Sequence, residues 1–275
     1  MTSDSVQPPD DERWRREAEF FDAEYYDEGP LRECVIQRYR ETRKPWLPAE
    51  FPFWVMGDVR DKSILEVGCG DGTNAILLAL KGARVFGLDI SGRAISIARK
   101  RAELHGVADR ARFECAPVEA FRFQTNEKFD VICGWAVLHH LLPVLDSFLT
   151  ELEQLGHEKT AFMFAEPVTL WKWLRRFRLM LPIATRGTPD ERPLEPEDLA
   201  ILWRHFPKLG MKHFDASLRV AGRLLSGKYE DWSAPARGLY DIAARFDRGL
   251  LNVPGLKGLG ATAVFFSGMH GPDRD

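Results

Sequence analysis

The sequence is short of cysteine and has no long apolar run. Four cysteines occur among the 275 residues, and no two of them form a Cys-x-x-Cys pair. Such usage is typical of a reduced compartment rather than of a disulfide framework. No apolar run approaches the roughly 20 residues that a membrane-spanning helix needs, and residues 1–12 lack the apolar core of a signal peptide. We therefore expect a cytoplasmic protein.

An excess of basic charge is also missing. The formal net charge is −3 at pH 7, whereas proteins that bind nucleic acids usually present a basic face. We therefore expect no nucleic-acid partner. Hydrophobic residues make up 45% and charged residues 29% of the chain, which is ordinary for a globular protein. The length suffices for one α/β domain with a cap or an insertion.

The most informative segment is a glycine-rich turn between a strand pattern and a helix pattern. The apolar run Ser63–Val67 precedes residues 68–72, in which every second residue is glycine. The second strand pattern, residues 84–88, is followed by Asp89, whose carboxylate can accept hydrogen bonds from both hydroxyls of a ribose. This order of elements predicts a nucleotide-binding βα unit.

The spacing of the glycines distinguishes between cofactors. A dinucleotide turn reads G-x-G-x-x-G, because a pyrophosphate must approach the backbone and the helix N-terminus. Here the spacing is G-x-G-x-G, and Glu66 and Asp71 flank it. Two carboxylates would repel a pyrophosphate but suit a ligand that carries an ammonium and a sulfonium. The turn therefore favours S-adenosylmethionine (SAM) over NAD.

Three segments resemble, in order, the motifs of the class I SAM-dependent methyltransferases. They are residues 64–73, 85–91 and 129–141, and the resemblance extends over about residues 60–167. It is to the small-molecule branch, which includes quinone-biosynthesis and natural-product methyltransferases. The resemblance implies methyl transfer from SAM to a small, apolar or aromatic metabolite. Methylation of oxygen is favoured over methylation of nitrogen or carbon.

Alternating strand and helix patterns predict a Rossmann-like α/β fold. We expect a mostly parallel seven-stranded sheet with helices on both faces and right-handed crossovers. The predicted strands are residues 63–67, 84–88, 111–115, 129–133, 160–165, 211–217 and 261–267. The predicted helices are residues 11–28, 31–43, 72–81, 91–105, 145–155 and 198–206. By resemblance to the family, the last strand is antiparallel to the others.

The organisation along the chain follows from these patterns and from the resemblance. We predict a disordered tail over residues 1–10, a helical cap over residues 11–55 and a SAM-binding domain over residues 56–270. Helical insertions near residues 168–206 and 218–258 would wall the acceptor pocket. Basic and aromatic side chains alternate in residues 171–181, a pattern that also suits a helix on an anionic membrane. We favour a lid there and keep membrane association as the less favoured alternative.

Ligands of such sheets bind at the carboxyl ends of the strands, so residues that follow the strands should converge on one crevice. The resemblance gives Glu66 the methionine ammonium of SAM, Asp89 the ribose and Ile90 the adenine face. The acid that usually holds the adenine edge is missing after the third strand, where Glu119 or nearby backbone groups would replace it. The predicted cofactor-binding residues are Tyr25, Tyr26, Glu66, Gly68, Cys69, Gly70, Asp71, Gly72, Asp89, Ile90, Ala116, Pro117, Val118, Glu119, Gly134 and Trp135.

The acceptor end of the crevice lies after the fourth strand. His139 and His140 are the candidate general bases, and the choice between them, or a structural role for both, stays open. Predicted acceptor contacts are Trp135, Glu166 and Trp171. We predict no metal site, because no set of carboxylates clusters there. The segment also lacks the prolines of methyltransferases that act on flipped bases, which again disfavours a nucleic-acid substrate.

Rival functions share the same βα unit. An NAD-dependent dehydrogenase is disfavoured by the glycine spacing. A SAM-binding protein of the same fold could catalyse another reaction, such as a cyclisation, or act on a lipid-linked acceptor. A SAM sensor without catalysis is a further alternative. The sequence does not specify the oligomeric state.

Overall fold

The computed structural model places helices on both faces of a central β-sheet. It describes residues 11–23, 28–118, 121, 126–171, 173, 192–218 and 228–269. The predicted tail over residues 1–10 lies outside these ranges, as do residues 174–191 and 219–227 of the two predicted insertions. The division into a cap and a SAM-binding domain stays a prediction.

Strands in the described part of the chain form one seven-stranded sheet. They are β1 Ser63–Val67, β2 Arg84–Asp89, β3 Ala111–Cys115, β4 Phe129–Trp135, β5 Gly156–Pro167, β6 Gly210–Phe214 and β7 Thr262–Ser267. Their order across the sheet is β3-β2-β1-β4-β5-β7-β6. The pairs among β1 to β5 are parallel, and β7 is antiparallel to both β5 and β6. The predicted Rossmann-like fold class is confirmed, including the antiparallel last strand.

The helices of the described residues cover both faces of the sheet. They are α1 Asp11–Asp22, α2 Glu33–Glu41, α3 Phe51–Met56, α4 Thr73–Leu80, α5 Gly92–Leu104, α6 Leu145–Leu155, α7 Pro196–His205 and α8 Ala234–Asn252. One apolar cluster joins the sheet to α3, α4 and α5, and a second joins its other face to α6 and α7. None of these helices is both long and apolar enough to cross a membrane.

The central strands are apolar at successive positions, and this explains the two-sided packing. Ile64 and Leu65 of β1 are neighbours in the chain, yet both are fully buried. Successive side chains of a strand point to opposite faces. Ile64 therefore packs in the cluster with α4 and α5, and Leu65 packs in the cluster with α6. Such runs are typical of parallel strands that helices cover on both sides.

Strands β5 and β6 differ most from their predicted bounds, and both differences have local reasons. Strand β5 begins at Gly156, directly after α6, so the residue predicted to end the helix also starts the strand. Strand β6 ends at Phe214 rather than at residue 217. The next residue, Asp215, has a φ of +63°, a left-handed conformation that a strand does not accommodate.

Helix α8 was not predicted as an individual helix, although its start carries two recognisable signals. The side chain of Ser233 accepts a hydrogen bond from the backbone N–H of Ala236, and Pro235 occupies the first turn. Both features are typical of helix N-termini. The buried carboxylate of Asp247 anchors the helix, because it accepts hydrogen bonds from the backbone N–H groups of Ser217 and Leu218 at 2.9–3.0 Å.

Truncation of a core leucine measures how much the packing of α6 contributes to stability. Leu152 of α6 is 0% exposed, so Leu152→Ala should lower the free energy of unfolding by about 2–5 kcal/mol. Leu104→Ala is the matched control, because Leu104 also lies on a helix but is 53% exposed, and its effect should stay within about 0.5 kcal/mol. Chemical denaturation followed by circular dichroism provides the measurement. Equal effects of the two substitutions would contradict this packing.

Candidate active site

The glycine turn after β1 is shaped by its backbone conformation. Gly68, Gly70 and Gly72 all have positive φ, at +65°, +52° and +75°, a region that glycine adopts without a steric penalty. A Cβ atom at Gly72 would lie 2.7 Å from the Cβ of Ala98 on α5. The turn is therefore packed closely against α5. The spacing of the glycines in the sequence was enough to predict a turn at these positions.

The other side of the turn touches the loop that follows β4. A Cβ atom at Gly68 would lie 2.7 Å from Cγ2 of Val137, and one at Gly134 would lie 2.6 Å from Cγ1 of the same side chain. Val137 thus fills the space that two glycines leave open. This contact brings the loop with His139 and His140 directly beside the glycine turn.

Asp89 closes the turn from the end of β2. Its Oδ2 accepts a hydrogen bond from the N–H of Gly70 at 2.8 Å, and its Oδ1 accepts one from the N–H of Ser91 at 2.9 Å. Burial raises the pKa of the carboxyl group, and these backbone N–H groups act against that rise. Each carboxylate oxygen can accept a second hydrogen bond. The position therefore fits the predicted role of binding ribose hydroxyls.

Glu66 is a buried carboxylate near the same turn. It is 1% exposed, and burial raises its pKa well above the usual range. Hydrogen bonds from the side chain of Asn74 and the backbone of Ala75 oppose this effect, and the charge of Asp71 adds to it. Its Oε2 finds no hydrogen-bond donor among the described residues. A buried oxygen without a donor is costly, so a ligand ammonium at this position would satisfy it.

The charge of Asp71 suggested a side chain that faces the ligand, whereas the structure pairs it with a cation. It forms an ion pair with Arg101 at 2.5 Å, and its Oδ1 accepts hydrogen bonds from the N–H and the hydroxyl of Thr73. Arg101 is only 5% exposed and also donates to the carbonyl of Gly29 at 2.9 Å. The carboxylate of Asp71 therefore holds the turn in place and is largely neutralised. No spacing rule in the sequence pairs these two residues.

Cys69 stabilises the glycine turn through its backbone N–H, and its side chain fills space beside β2. Its N–H donates to the carbonyl of Leu88 at 2.9 Å, which fixes the turn to β2. Burial raises the pKa of its thiol well above the usual range, so the sulfur stays protonated and unreactive. A Cβ atom at Gly87 would lie 2.9 Å from this sulfur.

The predicted adenine end follows β3. Ile90 and Pro117 are half-buried and Val118 is buried. The N–H of Ala116 donates to the carbonyl of Asp89 at 3.0 Å, so this backbone group already serves the protein. Glu119, the other candidate for the adenine edge, lies outside the described residues.

Helix α1 spans the site from its ribose end to its acceptor end. The carboxylate of Asp22 accepts hydrogen bonds from the hydroxyl of Ser91 and from the N–H of Arg93, at the start of α5. The ring of Phe21 meets the ring of His140 edge-on, with 5.3 Å between the centroids. The helix thus joins two loops that the sheet brings together. Tyr25 and Tyr26, predicted as cofactor contacts, lie outside the described residues, and these contacts stay predictions.

The two histidines differ in what orients them. His139 Nδ1 lies 2.9 Å from Oε2 of Glu166, while the rings of His139 and His140 lie 4.0 Å apart at a tilt of 39°. Because a carboxylate accepts hydrogen bonds, this contact is satisfied by the neutral tautomer with the proton on Nδ1, in which Nε2 is the basic nitrogen. This arrangement favours His139 over His140 as a base.

Glu166, which was predicted as an acceptor contact, is buried at the end of β5. It is 0% exposed, and its Oε1 accepts hydrogen bonds from the N–H groups of Val137 and Leu138, both at 2.8 Å. With His139 on Oε2, both carboxylate oxygens are engaged. The residue therefore orients the loop after β4, and its contact with an acceptor stays a prediction.

The two tryptophans predicted as acceptor contacts lie in packed surroundings. The ring of Trp135 lies 5.6 Å from that of Phe53 on α3. Trp171 packs over Gly258, where an added Cβ atom would lie 2.3 Å from its ring. Neither contact tests a role in acceptor binding, which stays a prediction for both.

Metal-ligating side chains do not cluster in the described part of the chain. No group of three or more His, Cys, Asp or Glu side chains there is placed to hold a metal ion. The arrangement offers instead a buried carboxylate for a cation, a second carboxylate for hydroxyls and an oriented imidazole, all at the carboxyl ends of parallel strands.

Comparisons with known proteins agree with this geometry. Residues 58–183 match the family model of a methyltransferase domain. The chain is 36% identical over 85 residues to a ubiquinone biosynthesis O-methyltransferase of Neisseria meningitidis serogroup C, a match that covers 30% of this chain and 35% of that protein. It is 53% identical over 53 residues to a release factor glutamine methyltransferase of Chlorobaculum tepidum, which covers 18% of each protein. The chain thus spans well under half of the length of either relative.

A solved structure extends the likeness of fold to almost the whole chain. The geranyl diphosphate C-methyltransferase of Streptomyces coelicolor superposes with a TM-score of 0.60 at 11% identity, covering 96% of this chain and 100% of that one. At this identity the match concerns the fold alone. The family match, the strand order and the glycine turn agree with one another, and residues 58–183 are similar to a methyltransferase domain.

Proposed function

We propose that the protein is an enzyme that transfers the methyl group of SAM to a small, apolar or aromatic acceptor, with oxygen as the preferred acceptor atom. One observation carries the proposal: the loop with the His139–Glu166 pair packs directly on the glycine turn through Val137. A group that can remove a proton therefore lies beside the turn on which the family binds its cofactor.

The residues of the turn fit SAM. The unsatisfied Oε2 of Glu66 is placed to accept a hydrogen bond from an ammonium, and Asp89 is placed to accept hydrogen bonds from ribose hydroxyls. When bound, SAM supplies a methyl group on a positively charged sulfur. The three positive-φ glycines keep side chains away from the space above the turn.

His139 has the geometry of a general base. Its Nδ1 donates to Glu166, so its Nε2 is the atom that can take a proton. Glu166 in turn accepts hydrogen bonds from two backbone N–H groups. These bonds fix the position of its carboxylate and thereby the orientation of the imidazole. Correct alignment of a nucleophile can supply about 7–11 kcal/mol of a barrier, and a general base about 10²–10⁴-fold in rate.

A base of this kind favours oxygen as the acceptor atom. A phenol becomes a much better nucleophile once its proton is removed, and the Nε2 atom of His139 is proposed to remove it. The names of the relatives point to different acceptors, a ubiquinone precursor in one case and a glutamine of a release factor in the other. The acceptor is therefore proposed from the site of this chain rather than carried over from a relative.

Removal of the Asp89 carboxylate tests the cofactor site. Asp89→Asn should weaken SAM binding by about 1.5–3 kcal/mol, roughly 10- to 150-fold, because the ribose hydroxyls lose a charged acceptor. Calorimetric titration of the full chain with SAM measures the change, and NAD serves as the competing cofactor. Asp58→Asn is the matched control, since the Asp58 side chain is 73% exposed. Unchanged SAM affinity in Asp89→Asn, or binding of NAD alone, would contradict the assignment.

The raised pKa of Glu66 predicts a pH dependence of SAM binding. The ionised carboxylate holds an ammonium better than the neutral acid, and burial raises the pKa of this group well above its usual range. SAM affinity should therefore fall as the pH drops through that raised pKa, with proton release on binding below it. Glu66→Gln should flatten the profile down to the lower range in which Asp89 titrates. Calorimetry in buffers of different ionisation enthalpy detects the released proton, and a flat profile for the unmodified protein would contradict the role of Glu66.

Substitutions of the His139–Glu166 pair separate catalysis from binding. His139→Ala should lower kcat by about 10²–10⁴-fold and leave the SAM dissociation constant unchanged. Glu166→Gln should lower kcat less, because Glu166 orients His139 and does not itself take the proton. The assay measures S-adenosylhomocysteine formed with a panel of phenolic and carboxylic aromatic acceptors. His140→Ala is the matched control, and a larger loss of kcat in it than in His139→Ala would assign the base to His140.

Nitrogen-15 spectra of the His139 imidazole provide a test that needs no acceptor. The hydrogen bond to Glu166 predicts that the neutral imidazole is the tautomer with its proton on Nδ1. A neutral imidazole with its proton on Nε2 would contradict the proposed orientation of the base. SAM binding without formation of S-adenosylhomocysteine with any acceptor would favour the alternative of a reaction other than methylation.

A further inference from the structure

Both ends of the connection between α1 and α2 are fixed to α5. At the N-cap of α5, the hydroxyl of Ser91 donates to the carboxylate of Asp22, the last residue of α1. At its C-cap, Nε2 of His105 accepts a hydrogen bond from the backbone N–H of Leu31 at 2.7 Å. Residues 28–31, called here the docking segment, are therefore held against the C-terminal part of α5.

Arg101 of α5 joins the docking segment to the glycine turn. Its Nε donates to the carbonyl of Gly29 at 2.9 Å, and its Nη1 lies 2.5 Å from Oδ2 of Asp71. The same Nη1 donates to the hydroxyl oxygen of Thr73 at 3.2 Å. A guanidinium carries five N–H donors in one rigid plane. A single side chain therefore fixes the position of one backbone segment relative to the other.

The position of Asp71 in turn affects the group that is proposed to bind the ribose. Asp71 lies between Gly70 and Gly72, whose φ values are +52° and +75°. The N–H of Gly70 donates to Oδ2 of Asp89 at 2.8 Å. A displacement of Asp71 would move Gly70, and with it the N–H that orients this carboxylate. Arg101 is thus connected to the cofactor site through Asp71 and Gly70.

The strength of the ion pair between Arg101 and Asp71 depends on the docking segment. Arg101 is 5% exposed while Gly29 is in place, and a pair of charges shielded from water attracts more strongly than a solvated pair. Release of the docking segment would let water reach the guanidinium and screen the pair. The glycine turn would then be held less firmly.

We propose that Arg101 is a positioning residue for the cofactor, which transmits the docking of residues 28–31 to the glycine turn. Docking of the segment raises the affinity of the turn for SAM, and bound SAM holds the segment on α5, because such coupling is reciprocal. The inference rests on the proposed function, since it takes SAM as the ligand of the turn. If Arg101 and His105 served only to stabilise the fold, their effects on SAM affinity would be independent of each other.

A double-substitution cycle tests the coupling, with SAM affinity measured by calorimetric titration of the full chain. Arg101→Lys keeps a positive charge beside Asp71 but loses the planar fork that also reaches Gly29, so SAM should bind roughly 5- to 150-fold more weakly. His105→Ala removes the acceptor for the N–H of Leu31 and should weaken SAM binding by roughly 2- to 10-fold. Added to Arg101→Lys, His105→Ala should change the affinity by less than roughly twofold.

Amide hydrogen exchange provides a readout that is independent of affinity. Saturating SAM should slow the exchange of the Leu31 amide in the unmodified protein and have little effect on it in Arg101→Lys. Arg99→Lys is the matched control, because Arg99 lies on the same helix and donates to the carbonyl of Phe113 on β3. It should change neither the SAM affinity nor this exchange. Thermal unfolding without SAM shows that each variant is folded.

Three results in a protein that binds SAM would overturn the proposal and leave the proposed function intact. The first is a SAM affinity of Arg101→Lys equal to that of Arg99→Lys. The second is an effect of His105→Ala that is the same with and without Arg101→Lys. The third is exchange of the Leu31 amide that SAM does not slow in the unmodified protein. An unmodified protein that does not bind SAM would overturn the proposed function and the coupling together.

Discussion

The close packing of Val137 against Gly68 and Gly134 is the constraint on which the candidate active site depends. Any larger residue at either glycine would push the loop after β4 away from the turn after β1. The loop is held from its other side by Glu166, which accepts hydrogen bonds from Val137 and Leu138. A single buried carboxylate and two glycines therefore bring a candidate base beside a candidate cofactor site.

Two acidic side chains of the site are energetically unfavourable in their ionised form when no ligand is bound. Glu66 is buried and Asp89 is half-buried, and the pKa values of both are raised because burial disfavours the ionised form. Asp71 differs, because its ion pair with Arg101 balances its charge and holds the turn in place. Two of the three acids thus remain for a ligand that carries positive charge and hydroxyl groups. Glu66 is the acid that distinguishes the two cofactors, because an acid on the ribose, such as Asp89, would serve a dinucleotide as well.

Local patterns in the sequence predicted the elements that local forces determine. The strands from Ser63 onwards follow from their apolar runs, and the glycines and Asp89 follow from turn geometry and spacing. The burial of Glu166 could not be predicted, because it depends on the pairing of Trp135 with Ala165 across two strands. The same holds for the pair of Arg101 and Asp71, which depends on how the assembled fold places α5 beside the glycine turn.

A crystal structure of the full chain with S-adenosylhomocysteine tests the central claim most directly. Our account predicts the ligand ammonium within hydrogen-bond distance of Glu66, the ribose hydroxyls on Asp89 and the imidazole of His139 open to the sulfur end of the ligand. It also predicts that Val137 keeps its contact with Gly68. A ligand bound elsewhere, or a loop after β4 that leaves the glycine turn when the ligand binds, would contradict the account.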